Sequence, residues 1–495
     1  STSLRRGPSF LSQPEPGWSP AAGILTLSSY TGPESQADEG GEWYTYEHSL
    51  QYRAAQLKFL EVLQQADGNR LFNVLEESPY HVDTNMQLSE MMVQQGDLGA
   101  SSTHLSKALY ALSAPLPPSF PSGSFRLPYS KIENRAFFTG IARKVSILVK
   151  RGTWRTACEW SKIALGAGGE TDPVGMLVYI DFLAPKAKQH TWFLSLLTSL
   201  PTAYPEMRIE SYPGLAYAKA LCLRGLEEES SEDDTKSTEA LKSAILKFPM
   251  VVPLLFATLG GNVPPKLLSH RRAQVDGSFT DNPSYLLSLL SQLYSVRSSP
   301  LWKEPPILAW LQKTVASVAP SLDDSSLEDV RTGEKLWGEG PWPKGFAPSG
   351  VIRAAYLAGS LSLAIFYSLK SKRSSPFEQT EIPSIRPYLP PSALSGTSYS
   401  YDPLPPSRSD LNATFYDDSY LAPLYSTQPR SRRRNPGQPR ANQGPGAAAM
   451  VAMRAQLAQI LGLGGDGGGI PLNDETREEL MLELEALAGA GRGEV

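Results

Sequence analysis

Residues Ser78–Leu112, SPYHVDTNMQLSEMMVQQGDLGASSTHLSKALYAL, decide how the rest of the chain is read. Apolar residues recur there at helical intervals in two blocks broken at Gly96-Asp97, which predicts two amphipathic helices packed back to back. Leu88, Met92, Leu105 and Ala108 fall where a tetratricopeptide helix pair places its interlocking residues. The tight turn between them needs a positive φ, which Gly96 adopts without steric cost. One such pair cannot bury its apolar face alone and must stack on neighbours. The stretch therefore predicts a binding scaffold, and neither half offers a catalytic group in a catalytic setting.

Working outward, related texture recurs on both sides. Tyr46, Leu50, Ala54, Leu57, Leu60 and Val62 predict a helix over 43–65, ended by Gly68. A Pro-rich connector, PLPPSFPSG (Pro115–Gly123), leads to a second pair through Val145 and Leu148, turning at Arg151-Gly152 and resuming with Ala157, Ser161 and Ala164. A third pair ends in STEALKSAILKFP, with Leu241, Ala244 and Pro249 in pattern and its turn expanded into the acidic loop Glu227–Asp234. Strand signals are sparse. The expected architecture is all-α: a tetratricopeptide-like helical-repeat solenoid over 42–330. Around it we expect a disordered arm (1–41), a Trp/Gly/Pro-rich connector and helix (331–372), a disordered Pro/Ser/Tyr-rich linker (373–447) and two short amphipathic helices (448–495).

Totals narrow the function classes. A net charge of -4 over 495 residues excludes a globally basic nucleic-acid binder but leaves room for local patches. Two cysteines, Cys158 and Cys222, cannot frame a disulfide scaffold or a zinc site and fit a reducing compartment. Ser1 follows no methionine, so an upstream segment is expected. The one membrane candidate, 354–369, is shorter than the roughly 20 residues a spanning helix needs and reads as a buried helix, so no membrane partner is expected.

No phosphate-binding loop, dinucleotide fingerprint or nucleophile elbow occurs, and the five histidines lie at no metal-ligand spacing. We expect no enzyme, cofactor or metal. The charged segment Lys131–Cys158 stands out instead: Lys131, Arg135, Arg143, Lys144, Lys150, Arg151 and Arg155 face one acid, Glu133, which suits an anionic partner or a solvated outer face. The aromatics Trp43, Tyr44, Tyr46, Tyr52 and Phe59 suit a peptide groove or a core. For partner contact we single out Trp43, Tyr46, His48, Tyr80, His81, Asp83, Glu133, Asn134, Arg135, Arg143, Lys144, Arg151 and Arg155. For the groups around His81 and Asn134, shaping helix starts is an equal alternative.

Several long motifs occur in one order: WYTYEHSLQYRAAQLKFLEVL, SPYHVDTNMQLSEMMVQQGD, RLPYSKIENRAFFTGI, KRGTWRTACEWSKIAL, DPVGMLVYIDFLA and AILKFPMVVPLL. Over roughly 43–311 the chain resembles the transcription factor 25 family, whose fungal members are called ribosome quality control complex subunit 1. The resemblance implies a non-catalytic part in ribosome-associated quality control, on large ribosomal subunits that hold a stalled nascent chain. It implies work beside the RING ubiquitin ligase listerin and ubiquitin, help in recruiting the valosin-containing AAA ATPase, and contact with ribosomal RNA. A cytoplasmic, ribosome-associated location follows, with a nuclear transcriptional repressor as the alternative. The chain departs from the family at Leu183 and Gln189-His190, and the family's basic, low-complexity N-terminal region is represented only by Arg5-Arg6.

Overall fold

The computed structural model describes residues 9–38, 40–64, 68–274, 284–342, 348 and 350–354. The chain opens with β1 (Leu25–Ser29), α1 (Pro33–Ala37), β2 (Glu42–His48), α2 (Leu50–Gln64) and α3 (Arg70–Glu77). The decisive stretch forms α4 (Val82–Gln94) and α5 (Leu98–Ser113). After β3 (Phe125–Arg126) come α6 (Ile132–Lys150), α7 (Trp154–Gly168), α8 (Leu177–Lys186), α9 (His190–Ala203), α10 (Pro213–Ser230) and α11 (Thr235–Lys247). Then α12 (Val251–Leu259), α13 (Pro265–Leu268), α14 (Tyr285–Trp302), α15 (Pro305–Val318) and α16 (Glu328–Glu339) complete the described helices.

The architecture is all-α in class, as the periodicity predicts, with helix pairs stacked in order. Gly96 and Gly152 take φ of +83° and +72° at the α4–α5 and α6–α7 turns, the left-handed conformation that costs glycine nothing. Asp97 then caps α5, its carboxylate accepting the Ala100 N–H at 2.8 Å. Leu88, Leu105, Ala108, Ala157, Ser161, Ala164, Leu241 and Ala244 are all buried between paired helices. Pair α8–α9 is an additional unit that the small-residue spacing does not reveal. It packs on α10 through two glycines: a Cβ at Gly214 would stand 2.0 Å from Asp181 Oδ2, and one at Gly225 would stand 2.5 Å from His190 Nε2.

Three expectations are corrected. Residues 43–48 are strand rather than helix, because EWYTYEH alternates aromatic and β-branched residues in a way that suits a half-buried sheet. β2 pairs antiparallel with β1 and parallel with β3. Residues 9–38, expected in a disordered arm, instead lie on the body: Leu11, Ala21 and Leu25 join the main core, and the Phe10 N–H donates to Ser113 Oγ at 2.8 Å. The acidic loop is mostly the end of α10, where buried Glu227 accepts the Ser237 N–H at 2.9 Å and staples the start of α11.

Two apolar clusters organise the molecule. The larger runs from the arm and sheet through α4–α10 and ends at Trp342 and Val351–Ala354. The second spans α10–α16 and centres on Trp302, whose ring stacks on Trp310 at 6.1 Å and whose N–H donates to Tyr294. Both tryptophans are packing anchors. Among the described residues no single helix is long and apolar enough to cross a membrane. The expected helix over 350–370 is described only to Ala354, and the linker, the Arg432–Arg434 run and the two C-terminal segments lie outside the described residues.

Candidate docking surface

The polar motifs that stand out in the sequence turn inward. Every residue of α4 from Val82 to Glu90 is buried, enclosed by α2, α3, α5 and α6. His81 is the N-cap of that helix: its Nδ1 accepts the Thr84 N–H at 3.3 Å and lies 2.7 Å from Thr84 Oγ1. This satisfies one of the otherwise orphaned first-turn donors. Burial pushes the imidazole down to a pKa of about 3, so it stays neutral. The Tyr52 ring lies between His81 and His48, at 4.5 and 4.2 Å. Burial, with His81 and Arg53 nearby, holds His48 well below its usual range. Tyr80 donates to the Ser19 carbonyl at 2.7 Å and thereby pins the arm.

Asp83 sits behind this ring stack, its pKa raised to about 6 by burial against the opposing pull of Gln56, Tyr52 and Arg143. Arg143, buried in α6, donates to the Met86 carbonyl and feels both Glu90 and Asp83. One cation thus joins α6 to two acids and a carbonyl of α4. Asn134 works similarly for the sheet, accepting the Tyr46 N–H at 2.8 Å and donating to the Pro128 carbonyl at 2.9 Å. Tyr46 donates onward to the Leu112 carbonyl, and the Arg135 guanidinium lies over the Tyr129 ring. Tyr46, His48, Tyr80, His81, Asp83, Asn134, Arg135 and Arg143 are therefore buried, and the contacts the structure gives them are internal ties.

The remaining predicted positions reach the surface. Arg151 and Arg155 are exposed, Lys144 and Glu133 are half-buried, and Trp43 is half-buried beside a 410 Å³ cavity lined also by Tyr129, Tyr212, Trp342 and Arg353. Arg151, Arg155 and Lys144 belong to α6–α7, and sequence reasoning missed three further half-buried cations on nearby elements: Lys107 of α5, Lys162 of α7 and Lys186 of α8. Each of these sits over an indole ring, of Trp18, Trp192 and Trp154 respectively. Lys144 sits likewise over Trp160. These partners lie on different elements, so no local spacing announces them. Among the described residues no group of three or more His, Cys, Asp and Glu is placed to hold a metal ion.

The chain is 33% identical over 350 residues to the "Probable transcription factor claV" of Ampulloclitocybe clavipes, covering 65% of this chain and 45% of that protein. It is 28% identical over 400 residues to the human "Ribosome quality control complex subunit TCF25", covering 79% of this chain and 54% of that protein. It is 26% identical over 405 residues to "Ribosome quality control complex subunit 1" of Schizosaccharomyces pombe, covering 81% and 53%. The chain thus spans about half the length of the curated relatives it matches. No solved structure matches it. The family model described as "Transcriptional repressor TCF25" matches residues 44–406, a span that takes in α2, α3, the capped α4–α5 pair and every later helix described above, and the chain belongs to that family.

Proposed function

We propose that this chain is a non-catalytic scaffold of ribosome-associated quality control, acting at large ribosomal subunits that hold a stalled nascent chain. The observation that carries the reading is that similar proteins in human, fission yeast and baker's yeast are named as ribosome quality control complex subunits. The inward-facing motifs are consistent with it. With the polar motif residues spent on internal ties, what the body offers to others is shaped surface and outward charge.

Such a protein acts by proximity. Holding a RING ligase of the listerin type, ubiquitin and the stalled chain together raises their effective concentration without a reacting group from the scaffold. Recruitment of the valosin-containing AAA ATPase would then follow at the same platform. The test is gradient sedimentation of the tagged protein with and without a stalling reporter. Co-sedimentation with large subunits that rises on stalling is the expected result. Protein that stays at the top of the gradient in both conditions overturns the reading.

A second reading, a nuclear transcriptional repressor, is favoured by the 33% identity to a probable transcription factor. It expects a chromatin-bound nuclear pool that persists when ribosomes are dissociated, which cell fractionation measures directly.

A further inference from the structure

The 410 Å³ cavity beside Trp43 has a size within the range of about 300–1,000 Å³ typical of ligand sites. It lies where distant parts of the chain meet: α1 and β2, the turns after α7 and α9, and the stretch 348–353. Trp43, Tyr129, Tyr212 and Trp342 line it, and the Tyr212 and Trp342 rings meet edge to face at 5.6 Å. One of these rings already holds a guanidinium. Arg353, 1% exposed, lies 4.4 Å from the Tyr129 ring centre and donates to the Pro173 carbonyl at 3.1 Å. Aromatic faces attract cations through the ring quadrupole, and a planar guanidinium also stacks on them. The remaining charges of the lining are acids. Both oxygens of Asp172 accept backbone N–H groups, from Met176 at 2.7 Å and Leu177 at 3.0 Å. Glu34 accepts from the Tyr30 and Ser130 hydroxyls and has Lys131 nearby. Glu170 and Glu206 are exposed at the rim, and among the described residues neither is in an ion pair. A second cation entering here would meet aromatic faces inside and two unpaired carboxylates at the mouth.

We propose that this cavity takes an arginine side chain from the chain's own run Arg432–Arg434. Residues 428–440, QPRSRRRNPGQPR, carry five arginines and no acid, which complements the two rim glutamates. Arginine suits the site better than lysine, because its flat guanidinium can stack on a ring and fork a carboxylate at once. The run also starts from the right place. Ala354 follows directly on the lining residue Arg353, and the intervening chain of about 80 residues has a contour of up to about 270 Å, ample for a return to the rim. A cation tethered in this way competes at an effective concentration on the order of 1 mM, an advantage that no separate basic peptide shares. The inference is independent of the quality-control reading.

The test is fluorescence anisotropy of a labelled peptide, Ser431–Arg440, titrated with the full chain. A tail variant carrying Arg432→Ser, Arg433→Ser and Arg434→Ser removes the cavity's own occupant and should melt like wild type. It should bind the peptide about 10-fold more tightly than wild type does, the ratio expected when a tethered competitor at about 1 mM faces a site with a Kd of about 100 μM. Adding Glu170→Gln and Glu206→Gln to the tail variant should weaken that binding by about 5-fold, as loss of two exposed ion pairs requires. A control with Lys370→Ser, Lys372→Ser and Arg373→Ser removes the same charge elsewhere in the tail and should bind like wild type. Equal binding by wild type and tail variant, an equal gain in the control, or indifference to the two glutamates overturns the proposal. Wild-type protein that sediments as a concentration-dependent dimer, with the tail variant monomeric, assigns the cavity to a second copy's tail and overturns it too.

Discussion

The two sides of the helix pairs invert what the sequence advertises. On the inner side, α4 and α6 carry the conspicuous motifs SPYHVD and ENR, and those residues are enclosed. Elsewhere, Lys107 of α5, Lys162 of α7 and Lys186 of α8 are scattered through unremarkable sequence, yet they reach solvent and sit over tryptophans. A solenoid groove normally remains open for peptide. Here β2 packs on α6, α2 on α4, and α14 on α8 and α10. The difference teaches that conspicuous polar motifs can encode architecture, because a buried polar group must be matched in several places at once.

The sharpest way to break this comparison is at Arg143. Arg143→Glu places a third acid beside Asp83 and Glu90 in a buried site and should cost about 4 kcal/mol or more, read as loss of the cooperative melt. A variant that folds normally and loses only partner binding would return Arg143 to the outer surface. His81 gives a smaller, pH-specific effect. Its folded pKa of about 3 lies below the ordinary 6.5, so the unfolded chain takes up the proton first. Stability from this group is full above pH 6.5 and is lost as pH falls toward 3. His81→Asn keeps a capping oxygen and removes the titration. The stability gap between wild type and variant should therefore narrow by about 2 kcal/mol between pH 7 and pH 5 in denaturant titrations. The smallest effect belongs outside: Arg155→Glu should change stability by under about 0.5 kcal/mol, and a larger change would mean that the outer side is structural too.

Much of the fold is legible because it is local. Gly96 at a positive-φ turn, Asp97 as a cap and Ala157, Ser161 and Ala164 at a helix seam all follow from spacing within one pair. Strand β2 is misread because Tyr46 and Leu50 also satisfy a helical interval, and only pairing with β1, from a segment poor in periodicity, decides between the two. The α8–α9 pair escapes because Gly214 and Gly225 make its seam on the neighbouring α10 rather than within the pair. The candidate surface is the least legible part. Arg151 and Arg155 are visible as charge, but Lys107, Lys162 and Lys186 gain meaning only from tryptophans on other elements, Trp18 being 89 residues from Lys107.

The arm's attachment sets an order of assembly. Helix pairs close between neighbours in sequence, whereas the Phe10 and Leu11 amides meet Ser113 across separations of 103 and 102 residues. Contacts between near neighbours form early and those spanning long loops form late, because the loop entropy must be overcome first. During synthesis the arm thus waits, unpaired, until α5 has formed behind it. Docking of the arm is then the closing event of the N-terminal half, and a protease that cuts between Ser9 and Ser19 would report how often that closure reopens.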